Sequence, residues 1–147
     1  MGTDMNGDAI GLMLVDQGKV VPGGENPGFI EALLSACQTW GSVDAIIPLS
    51  TYELVPLSKN RRVFESIGVR MAISDPDSLM CVNDKSRLYD QLRRSSVPLP
   101  RFVPVSDVEQ FKAAAGELGY PRSRVCFKPA YGKGSRGFRI IDDDVRK

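Results

Sequence analysis

The chain has 147 residues, of which 42% are apolar and 25% are charged, with a formal net charge of +1. These values exclude wholesale disorder and a net charge that would attract nucleic acid or an anionic membrane. No apolar run reaches the roughly 18 residues of a membrane span. The sequence contains no histidine, which excludes Ser-His-Asp hydrolysis and histidine-ligated zinc sites within the chain.

The cysteines indicate a reducing environment. Cys37, Cys81 and Cys126 are an odd number, far apart in the sequence, and form no CxxC pair. This pattern is neither a disulfide framework nor a metal-binding motif. We therefore expect a cytoplasmic protein.

The first strong element is a helix over residues 26–40. Asn26 is a candidate cap, Pro27 suits the first turn, and an apolar stripe follows at helical spacing. The run Asp44–Leu49 is short and apolar, which is typical of a strand buried on both faces.

A second helix and strand follow in the same style. Ser50 and Glu53 have capping-box spacing, and Gly68 is a candidate stop for the helix that they open. Gly68–Ile73 is another short strand. The alternation of apolar strands with a capped helix predicts a parallel, doubly wound α/β unit.

Residues 1–20 contain no strong strand–helix pair, and the chain stops soon after a predicted strand. We therefore expect both ends to be incomplete relative to a larger architecture.

The second half begins with two helix-start signals, Asp75-Pro76 and Asn83-Asp84, and we place a domain boundary near residues 74–83. RFVPV, residues 101–105, is predicted to be a short strand. Ser106 and Glu109 predict a third capped helix, which ends at Gly119.

Two further strands, Arg124–Pro129 and Gly137–Ile141, flank a loop in which Gly132, Gly134 and Gly137 have G-x-G-x-x-G spacing. A dinucleotide fingerprint requires a helix after the glycines, so the predicted strand–loop–strand order excludes it.

Two interpretations of the loop are left. Its amides, the Ser135 hydroxyl and the Lys128 ammonium could bind phosphate, because glycines allow close backbone approach. The alternative is a flexible hairpin with an incidental lysine, and the local pattern favours the two equally.

Three segments together resemble one family. They are PLSTYELVPLSKNRRVFESIGVRMAIS (48–74), NDKSRLYDQLRRSSVPLPRF (83–102) and GYPRSRVCFKPAYGKGSRGFRI (119–140). In this order they resemble the ATP-grasp superfamily, in its carbamoyl-phosphate-synthase-like branch. The resemblance covers roughly residues 44–141.

The resemblance implies an α/β fold with a Rossmann-like pre-ATP-grasp unit followed by the start of an α+β ATP-grasp subdomain. We assign residues 1–80 to the pre-ATP-grasp unit, which by this resemblance lacks its first strand. Residues 81–147 are assigned to the N-terminal part of the ATP-grasp subdomain, which is incomplete. Members phosphorylate a carboxylate with Mg-ATP, and an amine or other nucleophile then displaces the phosphate. The resemblance thus implies a ligase whose partners are ATP and a small carboxylate, without nucleic acid or membrane.

The resemblance also implies an ATP site. Its residues are Lys85, Lys128, the loop residues Gly132, Gly134, Ser135 and Gly137, and Arg136 as an extra phosphate contact. Taken alone, Asp84 and Lys85 are better explained as a helix cap and a solvated first-turn lysine. Glu53 resembles a family glutamate, but capping geometry explains it equally well.

Magnesium ligands are expected beyond this chain, because the family places them downstream. Asp142, Asp143 and Asp144 are interpreted as solvated turn residues. The isolated chain is therefore expected to be inactive as a ligase. The alternative function is a non-catalytic α/β module that acts through an open sheet edge, either by self-association as a homo-oligomer or by binding a partner that completes the sheet.

Overall fold

The computed structural model describes residues 1–132 and 134–142. Within it the chain divides into two compact units, Met1–Met80 and Cys81–Lys147. Helices and strands alternate in both units, as expected for the predicted α/β class. No helix in the described ranges has the length and apolar character for a membrane crossing.

Unit 1 contains parallel strand pairs with helices between them. Its elements are β1 (Gly2–Asp4), α1 (Ile10–Met13), β2 (Gly18–Val20), α2 (Phe29–Trp40), β3 (Ala45–Ile46), α3 (Thr51–Lys59), α4 (Arg61–Glu65) and β4 (Arg70–Met71). Strand β1 pairs with β2, and β3 pairs with β4, both in parallel. Helix α5 (Pro76–Asn83) crosses the division between the units.

The sequence prediction for residues 1–20 was wrong, because β1, α1 and β2 form a strand–helix–strand arrangement there. Each element has only three or four residues, too few for a hydrophobic period to be recognised. Gly2 and Gly18 allow close packing, since a Cβ on Gly18 would lie 3.0 Å from the Leu12 carbonyl oxygen.

The strand predicted over Asp44–Leu49 is limited to Ala45–Ile46 and is not buried on both faces. Ile47 is 71% exposed and Leu49 is 94% exposed. Strand β3 has β4 as its one paired neighbour in the described residues, and Pro48 has no N–H for a ladder.

Helix α2 begins later than predicted. The Asn26 side chain accepts the Gly28 N–H at 2.8 Å, while Gly28 itself occupies the N-cap position. The helix ends where Gly41 adopts a φ of 69°, a conformation that glycine adopts without strain.

The Ser50 half of the predicted capping box does not form. Ser50 occupies the N-cap position of α3, but its side chain makes no capping hydrogen bond. The predicted single helix is divided at Asn60, whose side-chain amide donates to the Pro56 carbonyl at 2.9 Å. Gly68 is the stop that the sequence predicted: its φ is 83°, and the next residue, Val69, donates to the Phe64 carbonyl.

The core of unit 1 forms where α2 packs against α3, α4 and the strands. Its buried residues are Val21, Phe29, Leu33, Cys37, Leu57, Phe64 and Val69. Burial raises the pKa of the Cys37 thiol, which keeps it protonated. The three cysteines are free.

Unit 2 contains α6 (Lys85–Leu92), α7 (Val108–Glu117), β5 (Val125–Phe127) and β6 (Arg139–Ile141). The last two strands pair antiparallel, with Cys126 opposite Ile140. Residues 101–105 form no strand, contrary to the prediction. Pro100 directly precedes this segment and Pro104 lies within it. Neither residue has a backbone N–H to donate to a neighbouring strand.

The predicted start of α7 also changes in detail. Asp107, rather than Ser106, is the N-cap, and its carboxylate accepts the Gln110 N–H at 2.8 Å. Ser106 instead contacts the Gln110 side chain, and Glu109 pairs with Lys112 on the surface. The predicted stop at Gly119 has a φ of 111°.

The start of α6 is as predicted. Asp84 is the N-cap, and its carboxylate accepts the N–H groups of Ser86 at 2.9 Å and Arg87 at 3.3 Å. Burial opposes the charged carboxylate, but hydrogen bonds from Arg87, Tyr131 and Ser86 outweigh it and lower the pKa of Asp84. The group is therefore stabilised as an anion.

Phe64 is fully buried, so Phe64→Ala should reduce the free energy of unfolding of unit 1 by about 3–5 kcal/mol. Urea denaturation of the whole chain measures this. The neighbouring Val63 is 44% exposed, and Val63→Ala should cost about 0.5 kcal/mol or less. Equal effects from the two variants would contradict the assigned core.

Acid should weaken the start of α6. Because the pKa of Asp84 is lowered on folding, its contribution is present above about pH 4, the unfolded value, and is lost as the pH falls through the folded one. Asn retains capping ability without the charge. Thermal unfolding by circular dichroism should therefore show a smaller loss of Tm between pH 6 and pH 3 for Asp84→Asn than for the wild type.

The control for this experiment is Asp90→Asn, which removes one exposed ion pair with Arg93 and should keep the wild-type acid response. If Asp84→Asn and Asp90→Asn respond identically to acid, the capping carboxylate is not a source of pH dependence.

Candidate functional site

The candidate site lies in unit 2, where the start of α6 contacts the segment after β5. The backbone N–H of Lys85 donates to the Ala130 carbonyl at 3.0 Å. The Lys85 ammonium also lies 3.4 Å from the Ala130 oxygen and 3.5 Å from the Gly132 oxygen. One predicted lysine thus contacts the first residue of the predicted glycine loop.

Tyr131 adds a second connection between these segments. Its side chain hydrogen-bonds the Asp84 carboxylate, which raises the pKa of Tyr131. The carboxylate is 7% exposed whereas Tyr131 is 62% exposed. An exposed tyrosine thus shares a hydrogen bond with a buried aspartate.

Lys128 follows β5 directly and is exposed. Its ammonium lies 5.5 Å from the centre of the Phe138 ring, which precedes β6. This is a cation–π distance. The aromatic face of Phe138 therefore holds the lysine near the strand pair.

Lys85 and Lys128 border the same cavity of about 360 Å³. Its apolar walls include Tyr89 of α6 and Phe111 of α7, and Phe111 meets Phe127 of β5 edge-on at 5.9 Å between ring centres. Among the described residues that line this cavity, three are cationic (Lys85, Arg101 and Lys128) and none is acidic. The local field therefore favours an anion.

The loop backbone adopts conformations that suit glycine. The φ angles are 145° at Gly132, 59° at Gly134 and 77° at Gly137. A Cβ on Gly137 would lie 2.7 Å from Pro129 Cγ. Both the positive φ and this short distance therefore disfavour any residue with a side chain at this position. Ser135, with a φ of 56°, is the one described non-glycine residue in this region of backbone space.

Ser135 and Arg136 are exposed at the turn. In the described part of the chain, neither side chain hydrogen-bonds Lys85 or Lys128. Glu53, the other family-like residue, belongs to unit 1. Of the predicted site residues, Lys85 therefore contacts Gly132, and Lys85 and Lys128 line the same cavity.

Sequence reasoning missed Ala130 and Tyr131. Ala130 acts through its carbonyl, which no side-chain pattern reveals. Tyr131 lies beside the glycines and contacts Asp84. The one available signal in the sequence was that Tyr131, a polar aromatic residue, directly precedes the glycines of a candidate phosphate loop.

Metal ligation is not evident in residues 1–132 and 134–142, which contain no cluster of three or more Cys, Asp or Glu side chains that could hold a metal ion. Asp142 directly follows β6 and is half-buried rather than fully solvated. Asp143 and Asp144 lie outside the described residues.

Comparison with known proteins gives matches along most of the chain. Residues 1–72 match the family described as PylC-like, N-terminal domain. The carbamoyl phosphate synthase large chain of Mycobacterium sp. (strain JLS) is 30% identical over 89 residues, which are 60% of this chain and 8% of that protein. The chain thus spans less than a tenth of the length of this relative.

Solved structures show a similar fold. Campylobacter jejuni biotin carboxylase, in its beta-gamma-ATP complex, matches with a TM-score of 0.61 at 23% identity over 98% of this chain and 32% of its own. The biotin carboxylase domain of Hydrogenobacter thermophilus 2-oxoglutarate carboxylase, a dimer with MgADP, ADP and bicarbonate, matches with a TM-score of 0.58 at 26% identity, over 94% of this chain and 30% of its own.

These matches confirm both the α/β fold class and the resemblance that the three sequence segments carry. The chain is therefore similar to PylC-like N-terminal domains over residues 1–72, to part of a carbamoyl phosphate synthase large chain and, in fold, to biotin carboxylases, as the predicted resemblance to the carbamoyl-phosphate-synthase-like branch of the ATP-grasp superfamily implies.

Proposed function

We propose that this chain supplies one half of an ATP site in a ligase that activates a carboxylate by phosphorylation, for attack by an amine or another nucleophile. The observation that carries the proposal is the contact of Lys85 with the base of the glycine loop, beside a cavity that Lys128 also lines. The site is built from segments that the family resemblance marks independently.

In this proposal the two lysines act as point charges on the phosphates. A compact ammonium with three donors neutralises phosphate oxygens without fixing their orientation. Asp84 is buried, and the described residues that line the cavity include no acidic side chain that would compete for those donors. The contribution of the chain is positioning and charge neutralisation.

The loop residues supply backbone donors. Gly132, Gly134 and Gly137 have positive φ values, which turn successive N–H groups towards a common anion in phosphate-binding loops. The Ser135 hydroxyl and the Arg136 guanidinium are exposed at the turn and would add contacts there. Their roles belong to the same proposal.

Magnesium would accompany the nucleotide. Mg²⁺ is held by one or two carboxylates together with phosphate oxygens, and residues 1–132 and 134–142 contain no acidic cluster for it. The metal is therefore proposed to arrive with ATP. Bicarbonate, present in the 2-oxoglutarate carboxylase structure, illustrates the kind of small carboxylate-like substrate that the proposal includes.

The domain assignment is part of the proposal. We assign the Rossmann-like pre-ATP-grasp role to residues 1–80 and the start of the ATP-grasp subdomain to residues 81–147, supported by the match of residues 1–72 to an N-terminal domain family. A reducing cytoplasm suits the three free cysteines.

The isolated chain should bind Mg-ATP weakly and show no ligase activity. Lys128→Met should weaken that binding about tenfold or more, because a hydrogen bond to a charged group contributes about 1.5–3 kcal/mol. Isothermal titration calorimetry measures this. Lys112→Met is the matched control, since Lys112 forms a surface ion pair with Glu109 on α7.

Equal affinity in the Lys128→Met and Lys112→Met variants would contradict the assigned phosphate role. In a ligase that contains this chain, Lys128→Ala should abolish ATP turnover. Unchanged turnover there would remove the ATP-site assignment altogether.

Self-association is a second candidate function, favoured by one observation in unit 1. Helix α1 buries none of its residues, and its Ile10, Met13 and the following Leu14 are each at least 72% exposed. Parallel sheets are usually covered on both faces, so this apolar surface is suited to a second copy of the chain.

Light scattering tests this second candidate. The wild type should be a dimer or larger at concentrations used for spectroscopy, and Leu14→Glu should shift it to the monomer by placing a charge on the apolar surface. A wild-type chain that is strictly monomeric and well folded would contradict self-association.

A further inference from the structure

The Lys85 ammonium has a role before any nucleotide binds. It is half-buried, and it lies within hydrogen-bond reach of the Ala130 and Gly132 carbonyls. The three ion pairs found among the described residues do not include it. Within the described residues, the carbonyl dipoles of Ala130 and Gly132 balance its charge.

These contacts are weak enough to be exchanged. The two distances, 3.4 and 3.5 Å, are at the long limit for hydrogen bonds. Charge-assisted bonds from an ammonium to phosphate oxygens are shorter, about 2.7–2.9 Å, and roughly twice as strong as neutral ones. A polyphosphate near Lys85 would therefore take the ammonium from the carbonyls.

The backbone contact of Lys85 is independent of its side chain. The N–H of Lys85 donates to Ala130 at 3.0 Å, and an anion that binds the ammonium leaves this bond in place. Ala130 therefore stays attached to α6. Gly132 loses the contact between its carbonyl and the Lys85 ammonium, and its φ of 145° is a conformation that L residues with side chains rarely adopt.

We propose that the Lys85 side chain restrains the glycine loop at Gly132 in the ligand-free chain, and that a bound polyphosphate releases this restraint by taking over the ammonium. The inference rests on the proposed ATP site and adds a coupling to it. When the Lys85 ammonium binds phosphate, it leaves the Gly132 carbonyl, and Gly132 gains conformational freedom.

The restraint is tested first without ligand. Lys85→Met keeps the backbone N–H but removes the ammonium. By NMR, the carbonyl ¹³C resonance of Gly132 should move upfield, and the ¹H–¹⁵N NOE values of Gly132 and Gly134 should fall relative to the wild type. Lys85→Arg should recover part of the effect, whereas Lys112→Met, on the surface of α7, should show none. Unchanged Gly132 and Gly134 signals in Lys85→Met would overturn the restraint.

The release is tested by adding magnesium tripolyphosphate to the wild type. The Gly132 carbonyl resonance should move in the direction seen for Lys85→Met without ligand, and Lys85→Met itself should show little further change. A wild-type Gly132 carbonyl that stays fixed while the polyphosphate binds elsewhere, or does not bind, would overturn the release.

The two proposals fail in different ways. If calorimetry shows no Mg-ATP binding, the proposed function of the site fails, while the ligand-free spectra of Lys85→Met still decide whether the restraint exists. If Mg-ATP binds but Lys85→Met leaves the ligand-free loop unchanged, the ATP site stands and the coupling is wrong.

Discussion

The hydrogen bond from the Lys85 N–H to the Ala130 carbonyl is the constraint on which the candidate site depends. It joins segments 45 positions apart in the sequence, so it is a tertiary contact and not a local turn. The N–H groups in the first turn of a helix have no partner within the helix and need acceptors elsewhere. Here the Ala130 carbonyl, in the segment after β5, accepts one of them. The same contact places the lysine ammonium beside the loop.

The buried Asp84 carboxylate supports that arrangement. It satisfies the next two N–H groups of the helix and hydrogen-bonds Tyr131, so the first turn of α6 is saturated with partners. A buried carboxylate is tolerated because hydrogen bonds and the helix dipole stabilise its charge. The proposed site thus combines a rigid helix start at α6 with a glycine-rich segment, whose backbone can change conformation more easily than one built of other residues.

The sequence correctly predicted some local features of this fold, such as helix stops and the Asp84 cap, but not the caps at Ser50 and Ser106, and it missed tertiary contacts. Gly68 and Gly119 end helices as predicted because the stop is set by their own backbone freedom. The Asp84 cap was also local. The three-residue strands β1 and β2 were missed because their pairing arises from contacts across the chain, and the apolar run at Ile47 gave no sign of its exposure. The meeting of Lys85 with Ala130 follows from the fold and from no motif.

In the proposed site, α6 and the glycine loop form one phosphate-binding surface. Mapping amide chemical shifts of the isotopically labelled chain during a Mg-ATP titration tests this most directly. We expect the largest changes at Lys85, Lys128 and the loop glycines Gly132, Gly134 and Gly137. Changes concentrated in residues 1–80, or spread evenly over the chain, would contradict it.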